Sequence, residues 1–175
     1  MQALYFILDT VATLYQAVLL LRLLMQLTRA DFRNPIGRAI LQLSDPVIKP
    51  LRRVLPPAGK IDTASVVAVL LFSALKLWIL HLLFGYGTPS LLAMLKGTLV
   101  DVTRLVLHTY LFAMILNAIL SFVAPGNYSP AQTLLASICD PVLNPIRRVI
   151  PAIGGLDLSP LWACIAIQAM LLILP

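Results

Sequence analysis

Between Leu4 and Leu27 only two charged side chains, Asp9 and Arg22, interrupt an otherwise apolar run. A helix of about 20 such residues crosses the hydrocarbon core of a bilayer. In that solvent only helices and closed barrels satisfy their own backbone hydrogen bonds. Three further apolar stretches follow: Ala64–Phe84, one that begins between Leu91 and Val102 and ends near Val123, and Pro160–Leu174. The last is short, and at about 1.5 Å per residue it crosses only a thinned bilayer. Hydrophobic residues make up 60% of the chain and charged residues 11%, against about 25% charged in a soluble domain. Lipid must therefore solvate most of the surface. The expected fold class is an all-α membrane protein with four transmembrane helices. The first run has no basic segment before it and is too long for a signal peptide, so it is expected to be a retained helix.

Between these runs the chain writes one segment twice. DPVIKPLRRVLPPAGKID (Asp45–Asp62) returns 95 residues later as DPVLNPIRRVIPAIGGLD (Asp140–Asp157), with ten of 18 positions identical and four more exchanging Ile and Leu. The match extends upstream, where Asn34-Pro35 falls on Ser129-Pro130. Each half reads as a span, a capping residue with Pro, a short amphipathic stretch, the box, and a second span. This predicts two tandem parallel repeats, residues 1–84 and 96–175, joined by an external link at 85–95. Repeats of equal topology are related by a pseudo-two-fold axis along the membrane normal. GYGTP (Gly85–Pro89) is a turn by composition.

Within the box, Asp45-Pro46 and Asp140-Pro141 resemble helix starts, with Asp capping and Pro at the first position. Pro50 and Pro145 fall one turn later and predict a kink. Pro56 and Pro151 stop the helix, and Gly59, Gly154, Asp62 and Asp157 complete the shared frame. On a helical wheel Val47, Ile48, Leu51, Val54 and Leu55 share an arc of about 120°, opposite Lys49, Arg52 and Arg53. The second copy sets Val142, Leu143, Ile146, Val149 and Ile150 against Asn144, Arg147 and Arg148. Such a segment lies in a membrane interface, apolar face down and cations among phosphates. Asn34–Leu43 has a similar pattern, with Arg38 and Gln42 on its polar side.

Basic residues set the orientation. Arg29, Arg33, Arg38, Lys49, Arg52, Arg53 and Lys60 lie between the first and second spans, Arg147 and Arg148 between the third and fourth, and none precedes Lys96 in the intervening link. The positive-inside rule puts both box loops in the cytoplasm and both termini outside, in a bacterial inner membrane. The net charge of +6 is thus a topology signal, and the partners it implies are anionic lipid headgroups, other membrane proteins or a second copy, with no nucleic acid.

Two readings attach to Lys49, Arg52, Arg53, Arg147 and Arg148: specific recognition of an anionic lipid or partner, or plain headgroup snorkelling. Two also attach to the ionisable residues within spans, Asp9, Arg22, Lys76, Asp101 and Arg104: a polar path, or a satisfied structural network. Under the 95-residue offset Arg104 stands where Asp9 stands in the first span, which predicts an Asp9–Arg104 pair, with Lys76 near Asp101 as a second contact. His81 and His108 sit on consecutive spans and are the only candidates for a haem. No Ser/His/Asp signature, HExxH, CxxC or phosphate-binding Gly-rich loop occurs, so no enzyme activity, metal or cofactor is expected.

Arg22 within LLLRLLMQ, Asp31-Phe32 with Asn34-Pro35, and the doubled box ending at Asp62 and at LDLSP (Leu156–Pro160) resemble the YggT or YlmG-like family of bacterial and plastid membrane proteins. That resemblance implies links to osmotic-shock tolerance and potassium uptake in bacteria, and to haem attachment and membrane or nucleoid organisation in plastids. It supplies no catalytic residue. The expected function is a non-enzymatic membrane protein that organises or helps assemble other membrane components. The alternatives are a small ion channel, transporter or supporting subunit, and a cytochrome assembly factor.

Overall fold

The computed structural model describes residues 2–56, 62–85, 87–123, 129–150 and 157–175, apart from the side chains of 122 and 123. Gly59, Pro151 and Gly154 lie outside the described residues. Six helices are described: α1 Gln2–Leu27, α2 Pro35–Val54, α3 Thr63–Leu83, α4 Leu91–Val123, α5 Pro130–Val149 and α6 Ser159–Ile173. No strand occurs among the described residues. α1, α3 and α4 are long and apolar enough to cross a membrane, whereas α6 is a shorter apolar helix of 15 residues. At about 1.5 Å per residue α6 extends only about 22 Å. α4, at 33 residues, runs the whole way from Leu91 to Val123, beginning at the earliest residue of the range the sequence allowed.

The chain packs as two compact units, Met1–Leu23 with Ile40–Val106, and Leu24–Ala39 with Leu107–Pro175. In the first unit Leu19, Leu20, Ile48, Ala64, Ala68 and Val69 are buried, and Tyr15 stacks on Phe72 with ring centroids 5.3 Å apart. In the second, Leu107, Met114, Cys139, Leu143, Ala163 and Ile167 form the core, and α5 packs on α6. Apolar side chains elsewhere on the long apolar helices, such as Phe6, Leu71 and Leu99, stay exposed.

The helix starts correct one expectation. Asp45 and Asp140 do not begin helices; both lie inside 20-residue helices that start one residue after Asn34 and Ser129. Those upstream residues are the caps. The Asn34 side chain accepts from Gly37 N–H at 2.5 Å, and the Ser129 hydroxyl accepts from Gln132 N–H at 3.1 Å. A Pro directly after each cap has no intrahelical N–H to lose there. The interior prolines survive because Pro46, Pro50, Pro141 and Pro145 all lie on exposed faces. The carbonyls they leave unpaired, one turn earlier, can be hydrated.

α1 ends in a Schellman turn: Ala30 N–H reaches Met25 O at 2.8 Å and Arg29 N–H reaches Gln26 O at 3.3 Å. Arg29 sits at φ 55°, where glycine is the usual residue. At the predicted GYGTP turn, Gly85 and Gly87 have φ of 74° and 77°, conformations open to glycine at little cost.

Candidate functional site

The first box is fastened at both ends by aspartates. α1 carries Arg22, 3% exposed, and its Nη1 donates to Asp45 Oδ1 at 2.7 Å and to Ser44 Oγ at 2.8 Å. The Ser44 hydroxyl donates to Ile40 O at 2.6 Å. Lys49 grips the other Asp45 oxygen at 2.8 Å from an exposed position. The hydrogen bond from Lys49, and next that from Arg22, hold the Asp45 carboxyl below its ordinary range. The residue that the sequence offered as a cap is therefore the junction between α1 and α2, and it pairs a buried guanidinium that would be costly alone.

At the other end, Arg52 in the last turn of α2 reaches the residue that precedes α3. Its Nε and Nη2 both donate to Asp62 Oδ2, at 3.1 and 2.5 Å. Ser65 donates to the same oxygen at 2.7 Å. Asp62 is 1% exposed. Burial pushes its carboxyl up, but the hydrogen bonds from Arg52 and Ser65 and the Arg52 charge outweigh that and leave it lowered. The start of α3, where backbone N–H groups point outward, also favours an anion there. This latch joins two helices across residues 55–61.

The second box uses one arginine for both tasks. Arg147 donates from Nε to Asp157 Oδ2 at 2.8 Å and from Nη1 to Asp140 Oδ1 at 3.0 Å. The reason is in the positions that differ. Lys49 becomes Asn144, and the residue 95 beyond Arg22 is Asn117, so Asp140 lacks both cations that serve Asp45. Asn144 instead accepts from Arg147 at 3.3 Å. All members of this cluster are exposed or half-exposed, with side-chain exposure of 38% for Arg147, 45% for Asp140 and 40% for Asp157. Hydrogen bonds from Ser159 and Arg147 still lower the Asp157 carboxyl against a desolvation that raises it. Arg147 is correspondingly raised, its own desolvation being outweighed by Asp157 and Asp140. Beside it, burial and the Asp140 charge push the Cys139 thiol up to about 12, so it is no nucleophile at neutral pH.

Arg52 and Arg147 thus point inward to the boxes' own aspartates. The surface that remains is made by the second arginine of each pair and the valine after it. Arg53 and Arg148 are exposed, and Val54 and Val149 are 77% and 80% exposed. Lys49 also faces outward, with its side chain 72% exposed. The latches fix where this basic and apolar edge sits.

Within the apolar helices of the first unit, Lys76 and Asp101 meet as the sequence predicts, at 2.6 Å. The Asp9–Arg104 expectation gives way: the cation at Asp9 is Lys76, at 3.6 Å. Arg104 is exposed on α4. Nor is Asp101 engaged locally with Arg104, since its partners are Lys76, Ser73 and Gln16. Gln16, Ser73, Thr13, Ser44 and Ser65 escaped the sequence reading because uncharged polar residues are common in apolar helices. The signal available was spacing: Asp9, Thr13 and Gln16 fall at i, i+4 and i+7, one stripe of a helix. His81 sets its ring Nδ1 2.9 Å from Leu77 O, a tie within its own helix.

The CCB3/YggT family model matches residues 1–83 and 97–174, and the chain belongs to that family. It is 41% identical over 164 residues to an uncharacterised protein of Pseudomonas aeruginosa, covering 93% of this chain and 83% of the relative. To the uncharacterised protein YggT of Escherichia coli strain K12 it is 38% identical over 161 residues, covering 92% and 83% respectively. A shorter match, 51% over 35 residues, covers 20% of this chain and 14% of the chloroplastic YlmG homolog protein 2 of Arabidopsis thaliana. No solved structure matches.

Proposed function

We propose that this chain is a non-enzymatic protein of the bacterial inner membrane, with four spans in two tandem repeats, that organises or helps assemble other membrane components. In this reading both termini face the periplasm and both box loops face the cytoplasm, among anionic headgroups. The observation that carries it is the doubled edge of Arg53-Val54 and Arg148-Val149, exposed and set in place by latches that occupy the neighbouring arginines. A basic group next to an exposed apolar one suits an interface lined by lipid phosphates or by an acidic face of another membrane protein. Contribution to osmotic-stress tolerance would follow from the state of the components so organised.

The test is in-cell photocrosslinking with a photoreactive residue at position 53 or 148. Adducts to discrete membrane proteins or to a second copy support the reading, and adducts to lipid alone from both positions contradict it. A second reading, a small ion channel or transport subunit, is favoured by the charge cluster of Lys76, Asp9 and Asp101 within apolar helices. Ion flux into liposomes holding the purified protein alone would support that reading over the first.

A further inference from the structure

Three helices of the first unit bring oxygen-bearing side chains to one place. α1 supplies Asp9, Thr13 and Gln16, α3 supplies Ser73, and α4 supplies Asp101. The Lys76 ammonium lies 2.6 Å from Asp101 Oδ1, 3.2 Å from Thr13 Oγ1 and 3.6 Å from Asp9 Oδ1. The other Asp101 oxygen accepts from Ser73 at 2.5 Å and from Gln16 Nε2 at 3.1 Å. Two carboxylates against one ammonium leave the cluster one negative charge in excess. Lys76 is 4% exposed at its side chain, within helices otherwise apolar, where an uncompensated charge is costly.

A second, independent feature points the same way. Gln16 is fully buried, and its Oε1 is one of three buried side-chain atoms among the described residues that make no hydrogen bond. Nε2 of the same amide donates to Asp101 Oδ2 at 3.1 Å, which ties the side chain to the cluster. A buried acceptor without a donor is unfavourable, but it is a good ligand for a hard cation.

We propose that this cluster binds one monovalent inorganic cation, held by the carboxylates of Asp9 and Asp101 with Thr13 Oγ1 and Gln16 Oε1 as neutral ligands, beside the Lys76 side chain. One added positive charge neutralises the group. Among the described residues no three His, Cys, Asp or Glu side chains gather, and two carboxylates shared with an ammonium suit a singly charged ion. Asp9, 41% exposed at its side chain, is the point of entry. The ionisable groups around it are Lys76 on α3 and Asp101 on α4. Farther along these helices are Tyr5, whose ring packs on Phe84, Arg104 on α4, and His81 on α3. The site is the cluster that favours the second functional reading and deepens that reading, and its test reads binding, so that absence of flux alone leaves it standing.

The experiment is thermal unfolding of the purified full chain in detergent, in chloride salts of sodium, potassium or N-methylglucamine at constant ionic strength, with binding of radioactive sodium or rubidium counted in parallel. The expected result is a saturable rise of the unfolding midpoint in sodium or potassium, by roughly 5–10 °C at a hundred times the Kd, with one ion bound per chain. Asp9→Asn, on a half-exposed side chain, should abolish the cation-specific rise and lift the midpoint measured in N-methylglucamine, because it neutralises the cluster. Lys76→Met should strengthen the cation dependence. Equal midpoints in all three salts with no counted ion would overturn the proposal, as would an Asp9→Asn variant that keeps the full shift.

Discussion

Replacing Arg52 by Lys keeps the charge and removes the fork, and the structure says which matters. Arg52 places Nε and Nη2 on one Asp62 oxygen, and a lysine offers one donor in their place. A hydrogen bond to a charged group contributes about 1.5–3 kcal/mol. The Arg52 side chain is 43% exposed, which screens part of that, so Arg52→Lys should lose about 1 kcal/mol and Arg52→Gln about 2 kcal/mol. For a chain of this size these amount to roughly 3 and 6 °C in the unfolding midpoint. The same change in the second box has a different size. Arg147→Lys disturbs pairs in which both partners are about 40% exposed, a setting worth about 0–1 kcal/mol. Scanning fluorimetry in detergent reads all three. Asp62 has a lowered carboxyl pKa, so its latch stabilises above the ordinary carboxylate range, near about 3.9. That stabilisation is lost as the pH falls through the lower, folded-state value. The gap between wild type and Arg52→Gln should therefore narrow at acid pH. Equal losses for Arg52→Lys and Arg147→Lys, or no loss for Arg52→Gln, would refute the assignment of Arg52 as a latch.

Other outcomes follow from the same geometry. Pro50→Ala restores an N–H to an exposed turn of a continuous helix and should raise stability, since an interior Pro costs about 3 kcal/mol; a lower midpoint would show that the proline shapes a contact. Gly37→Ala should destabilise by about 1–3 kcal/mol, because a Cβ there meets Phe32 Cα at 3.0 Å and Asp31 O at 3.1 Å, as chemical unfolding would read. Arg29→Gly should stabilise by about 0.5–1 kcal/mol, relieving the left-handed conformation at the end of α1, and an unchanged midpoint would argue against that strain. Cysteines at positions 59 and 87 should label from opposite sides with an impermeant maleimide, and labelling of position 59 alone from the periplasm would overturn the proposed orientation.

The apolar runs made the three long helices legible, because about 20 residues without charge have few other solutions. The doubled box was legible too, and α2 and α5 begin and end 95 residues apart. Its internal geometry was not. Asp45-Pro46 has the composition of a helix start, but Asn34 and Ser129 had already supplied caps, and local pattern does not rank two valid start signals. The partners of Asp45 and Asp140 were hidden for another reason. They depend on Lys49 against Asn144 and on Arg22 from a different helix, and tertiary approach of that kind leaves no trace in spacing. The same holds for Asp9. The offset matched it to Arg104 by register, whereas helix packing brought Lys76 to it. Lys76 with Asp101 was anticipated because two opposite charges within neighbouring apolar spans have strong reason to meet.

The central claim is that the latches hold an exposed basic and apolar edge in the geometry its partners require. Photocrosslinking from position 53, compared between the wild type and Asp62→Asn at matched membrane expression, tests it most directly. The account predicts a discrete protein adduct in the wild type that is largely lost when Asp62 no longer holds Arg52. An adduct of the same identity and yield in the Asp62→Asn variant would contradict it.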